Sequence, residues 1–109
     1  MLPLPNLFKM QNIIQVNLKQ IQQLMRTYGV TRAYAFGSAA TNTMHADSDV
    51  DFVIRFKADI DIQTYGHNYF ELLYALQKLL KRDVELVAEE TITNPYLMQN
   101  INSQKMDVL

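Results

Sequence analysis

The amino-acid pattern predicts one small α/β (α+β) domain in which helices pack mainly on one face of a mixed β-sheet. Three observations lead there. Apolar residues recur at helical spacing before residue 29, alternate at a spacing of two over 49–56, and return to helical spacing over 68–81. A short run at 83–87 adds a third strand and a proline-started segment at 95 a further helix. Stripes of that kind are stable only when they cover a shared sheet.

Each element has its own local reason. Residues 1–10 contain Pro3 and Pro5 and read as an irregular lead-in. From Gln11 to Tyr28 the stripe Ile14, Leu18, Ile21 and Met25, widened by Ile13 and Leu24, specifies an amphipathic helix, with Gly29 as its C-terminal stop. Val30 to Phe36 is rich in β-branched and aromatic residues and reads as a strand ending at Gly37. Ser38 to Asn42 suits one short helical turn, and polar Thr43 to Ser48 a loop. Asp49 to Phe56 alternates Val50, Phe52, Ile54 and Phe56 against Asp49, Asp51, Val53 and Arg55. That is a strand with one buried face.

The link between these two strands is too short for an ordinary crossover helix, which points to antiparallel pairing. Residues 59–65 carry no clear pattern, while Asn68 to Lys81 is helical through Tyr69, Leu72, Leu73, Leu76 and Leu80. Asp83 to Val87 is the third strand. Asn94-Pro95 reads as a cap and first-turn proline opening a helix to about Asn102, and 106–109 is either a short strand or a frayed end.

Composition narrows the function. At 109 residues the chain is expected to be a single domain, 1–109, without a second substrate-binding unit. A formal charge of −1 argues against a partner held by phosphate neutralisation, so nucleic acid is not expected. With no cysteine, disulfides and thiolate metal sites are excluded. The N-terminus lacks a signal-peptide pattern and no apolar stretch approaches membrane length, so a cytoplasmic protein without membrane contact is expected.

The chemistry concentrates in one segment: Gly37-Ser38, ten intervening residues, then Asp49-Val50-Asp51. On a strand, residues two apart share a face, so both aspartates can converge on divalent cations while Val50 and Phe52 enter the core. Like charges so placed repel unless a cation or proton relieves them. Gly37 allows close backbone approach, and Ser38 with the amides after it can face an anion. Magnesium is served by carboxylates, waters and substrate phosphates, and two such ions can stabilise both attacking and leaving oxygens. Glu85 is the candidate third acid: it faces away from Val84 and Leu86, and reaches the aspartates if its strand pairs beside theirs.

Blander readings compete. Asp-Ser-Asp-Val-Asp resembles the start of a calcium loop, but the required glycine and distal glutamate do not follow. Asp47 is read as a solvated loop acid, Asp83 as a strand-edge alternative to Glu85, and His45 and His67 as plain polar residues. Arg55 shares the aspartates' parity and suits a phosphate or an ordinary ion pair equally. Lys81-Arg82 complements a helix C-terminus.

Gly-Ser, ten residues, then Asp-x-Asp resembles the signature of the DNA polymerase β-like nucleotidyltransferases. The short length resembles the minimal (MNT-type) members that are antitoxin partners of HEPN-domain toxins. The resemblance implies a nucleotidyltransferase-like fold and magnesium, two ions, at Asp49, Asp51 and Glu85. It further implies triphosphate held by Gly37 and Ser38, with AMP moved from ATP to a hydroxyl, specifically a tyrosine of a HEPN partner. Many members carry an arginine and then a glycine after Gly-Ser, where this chain has Ala40, Thr41 and Asn42. The alternative is therefore a weak or inactive nucleotide- or partner-binding module that neutralises its partner by complex formation. A homo-oligomer is left open.

Overall fold

The computed structural model describes residues 13–36 and 49–109. Expectations for the lead-in, for Gly37, Ser38 and the turn to Asn42, and for His45 and Asp47 lie outside the described residues. The described elements run α1 (Leu18–Thr27), β1 (Val30–Phe36), β2 (Val50–Phe56), α2 (Ile62–Leu80), β3 (Val84–Ala88), α3 (Pro95–Gln104) and β4 (Met106–Asp107).

The first helical stripe forms, but in two pieces. Residues 13–16 make one turn, and Asn17 separates it from α1. Its side-chain amide donates to the Ile13 carbonyl at 2.8 Å, in competition with the backbone ladder. The helix stops as expected: Gly29 takes φ +84°, and its N–H donates to the Arg26 carbonyl at 3.1 Å. A methyl group at Gly29 would meet nothing closer than 3.8 Å, so glycine is required there by dihedral rather than by space.

The sheet order is β3-β2-β1-β4. β1 and β2 are antiparallel, as the short link requires, with Phe36 opposite Asp51 and Tyr34 opposite Val53. β4 resolves the ambiguous tail as a strand, pairing Asp107 with Tyr34 and Met106 with Ala35. β3 runs parallel to β2, a pairing that needs a long crossover, and α2 supplies it.

α2 corrects the expected start at 68: it begins at Ile62 and takes in most of the stretch that showed no pattern. Asp61 is the reason. Its carboxylate accepts from the Thr64 N–H and the Thr64 hydroxyl, both at 2.9 Å, and so satisfies a donor that helix starts leave free. The helix ends on Lys81, which adopts a left-handed φ of 54°. At α3 the Asn94 side chain accepts from Tyr96 N–H and Leu97 N–H, the expected cap, and the helix continues to Gln104.

Burial follows the alternation. Val50, Phe52 and Ile54 are fully buried against Ile21 and Met25 of α1 and Leu72 and Leu76 of α2. The opposite face is covered differently, by Ile101 of α3 on Tyr34 and Val53. Helices therefore sit mainly on one face, with α3 the exception. Among the described residues no helix is long and apolar enough to cross a membrane.

Leu76 is fully enclosed at the centre of this layer. Leu76→Ala is expected to lower unfolding free energy by about 2–5 kcal/mol, read as a lower urea midpoint at an unchanged denaturant slope.

Candidate active site

Asp51 and Glu85 meet at one end of the sheet, and Asp49 stands two residues before Asp51 in the chain. Asp51 is the second residue of β2 and half-buried. β3 lies beside it in parallel register, with Glu85 directly paired to Asp51. Val84 and Leu86 are buried on the core face, which turns Glu85 out to the face that carries Asp51. Asp49 stands exposed, immediately before β2. Gly37 and Ser38 follow β1, whose last residue, Phe36, is the other cross-strand neighbour of Asp51.

Electrostatics at Asp51 record the crowding. Burial, the charge of Glu85, a hydrogen bond shared with Glu85 and the charge of Asp49 together push its carboxyl from an ordinary 3.8 up to about 6. Asp51 and Glu85 are thus close enough to share a proton, whereas Asp49 contributes through its charge. Among the described residues no three His, Cys, Asp or Glu side chains gather closely enough to hold a metal ion as a set. The donor set still fits magnesium. That ion is commonly held by one or two carboxylates, with waters and substrate phosphates completing its shell, and it would relieve the repulsion seen at Asp51.

Further along the same face the polar residues form a separate network. Arg55 Nε donates to Glu89 at 2.8 Å, so Arg55 makes an ordinary ion pair. The Tyr34 hydroxyl donates to the other Glu89 oxygen at 3.1 Å, and Lys105 Nζ sits 4.8 Å over the Tyr34 ring. Burial and Glu89 raise the Tyr34 phenol to about 12. At Glu89, burial pushes upward, but hydrogen bonds from Arg55 and Tyr34 and the charges of Arg55 and Arg32 outweigh it and hold the carboxyl low. Glu89 was missed in the sequence because it lies in a single 3-10 turn, Glu89–Thr91, that no periodicity marks.

A groove of about 340 Å³ runs along the outer edge of β3, lined by Tyr65, Tyr69 and Phe70 of α2 and by Leu86, Val87 and Thr91. Tyr69 was legible only as part of an apolar stripe. Its hydroxyl donates to the Leu86 carbonyl at 2.6 Å, a partner that helical spacing does not reveal.

Residues 19–108 match the model of the family described as Polymerase beta, Nucleotidyltransferase. The chain belongs to that family. It is 32% identical over 101 residues to a Methanocaldococcus jannaschii protein provisionally named a protein adenylyltransferase, covering 90% of this chain and 99% of that one. Its fold resembles a solved structure provisionally described as a minimal nucleotidyltransferase, with TM-score 0.73, 23% identity, and coverage of 88% of this chain and 93% of that one. It also resembles a chain in the structure of the tri-AMPylated Shewanella oneidensis HEPN toxin in complex with MNT antitoxin. There the TM-score is 0.61, the identity 24%, and the coverage 87% of this chain and 71% of that one. The resemblance to minimal nucleotidyltransferases of toxin–antitoxin pairs thus holds for this chain's fold, while its family is the polymerase beta nucleotidyltransferases.

The sign of the Asp51 shift gives a test. A carboxyl raised in the folded state favours folding fully below its unfolded value of 3.8, and that contribution is lost as pH rises through about 6. Without divalent metal, Asp51→Asn is therefore expected to raise the melting temperature at pH 8 and to leave it nearly unchanged at pH 3.5. Thermal unfolding of both proteins across that range is the measurement.

Proposed function

We propose that this protein is a metal-dependent nucleotidyltransferase that moves AMP from ATP to a hydroxyl, specifically a tyrosine of a HEPN-type partner, and so neutralises it. One observation carries the reading: Asp51 and Glu85 stand side by side on paired strands, and burial with the neighbouring Glu85 and Asp49 charges raises the Asp51 carboxyl to about 6. The family and the adenylyltransferase relatives support the reaction class, and the AMPylated HEPN toxin in a similar complex supports the acceptor.

Roles follow from position. Asp51 and Glu85, with Asp49 beside them, would hold magnesium, which when bound supplies charge for the triphosphate and acidifies the attacking hydroxyl. Gly37 and Ser38, following β1, would hold the phosphates. Glu85 stands on the edge strand β3, so the acceptor hydroxyl would come from that edge and give its proton toward Glu85. The oxygen attacks the α-phosphorus, and pyrophosphate leaves with the bond that breaks. A cytoplasmic location is consistent with this chemistry.

The second reading is a binding module that neutralises the partner without turnover. The residues Ala40, Thr41 and Asn42, standing where many relatives have arginine and glycine, favour it.

Incubation with α-labelled ATP, Mg²⁺ and a candidate HEPN-type partner, such as the product of a neighbouring gene, separates the readings. Label is expected on a partner tyrosine, and Asp49→Ala/Asp51→Ala is expected to reduce it by at least ~100-fold, the scale of losing charge stabilisation at a reacting phosphate. Equal labelling by the double variant would overturn the site assignment. Full neutralisation by an unlabelling variant would instead establish the binding module.

A further inference from the structure

β3 is five residues long and has a strand neighbour only on the β2 side. The Asp83 carbonyl accepts from Val50 N–H at 3.0 Å, which fixes the ladder: carbonyls of 83, 85 and 87 turn toward β2, and those of 84, 86 and 88 turn outward. Val84 and Leu86 pack inward against Leu72, Leu76 and Leu80 of α2, and on the outer flank a groove opens between β3 and Tyr65, Tyr69 and Phe70. What crosses the gap is the Tyr69 hydroxyl, bonded to the Leu86 carbonyl at 2.6 Å. Thr91 Oγ1 does the same for Ala88 at 2.7 Å, further from the acids.

We propose that Tyr69 is a positioning residue that holds β3 in the register placing Glu85 opposite Asp51. The inference rests on the reading of those two acids as a metal-holding pair. Asp51 and Glu85 repel when both are charged, and β3, an edge strand, is the element free to yield. A hydrogen bond to the carbonyl of Leu86, the residue after Glu85, adds to the packing of Val84 and Leu86 in resisting that displacement. Tyr69 is suited to the task. Its ring is wedged edge-on against Phe70 at 5.2 Å, which limits its own movement. Burial and the Glu85 charge both raise its phenol, so it stays a neutral donor at any pH at which the acids ionise.

The test is Tyr69→Phe, which keeps the ring and removes the donor. Binding of Mn²⁺ alone, followed by electron paramagnetic resonance, is expected to weaken by about threefold to tenfold, the range for one lost hydrogen bond. In metal-free protein the Asp51 carboxyl, followed by ¹³C NMR, is expected to titrate lower than in the unaltered chain because Glu85 has moved away. Thr91→Ala, which loses a comparable bond farther along the strand, is expected to change both readouts less. Unchanged Mn²⁺ binding and Asp51 titration in Tyr69→Phe, with Glu85→Gln weakening Mn²⁺ binding, would overturn the positioning role and leave the metal pair standing. If Glu85→Gln also binds Mn²⁺ normally, the metal pair fails and the positioning role fails with it.

Discussion

The parallel contact between β2 and β3 is the constraint on which the site depends. Either strand alone presents an isolated acid. In register, they set Asp51 and Glu85 side by side, on the face opposite the core. Two unit charges about 5 Å apart at an effective dielectric of about 20 repel by about 3 kcal/mol, and water at this half-exposed position lowers that. A domain of this size has a net stability of only about 5–15 kcal/mol, so such a cost is noticeable. The apolar layer of Phe52, Ile54, Leu72 and Leu76 offsets it without contacting the acids, because strand alternation separates the two faces.

Much of this was legible in the sequence, and the parts that were not share a physical cause. Regular alternation marked β2, so the burial of Val50, Phe52, Ile54 and Phe56 followed directly. Gly29 and Asn94-Pro95 were readable because their signals are local: a dihedral in one case, a cap in the other. The start of α2 was hidden because its signal is a single capping residue, Asp61, before a polar turn that contains Gly66. Asn17 showed no signal at all, since its competing hydrogen bond leaves the apolar period intact. For the site, parity gave the face of Glu85, but its approach to Asp51 depended on strand order, which a periodicity does not encode. The linkages of Glu89 to Tyr34 and Arg55 were out of reach for the same reason, as they join residues 55 and 34 positions apart.

The family match and the geometry bear on different links of the chain from sequence to function. Family membership establishes the reaction class that this fold serves. Geometry adds the division of labour along a single sheet face. Acids collect where β2 begins, while Arg55, Glu89, Tyr34 and Lys105 interlock further along it and fasten α3 over Val53. Arg55 and Lys105 are thereby engaged with Glu89 and Tyr34 rather than with Asp51 and Glu85.

The two hydroxyls on the rim of β3 have a separate consequence for solubility. A border strand normally offers its spare carbonyls as a template for a neighbouring chain, the usual seed of sheet-to-sheet aggregation. Here Leu86 and Ala88 have theirs occupied from within the molecule by Tyr69 and Thr91. The border that bears Glu85 thus offers two fewer free acceptors to a neighbouring chain, which weakens it as a template for intermolecular pairing.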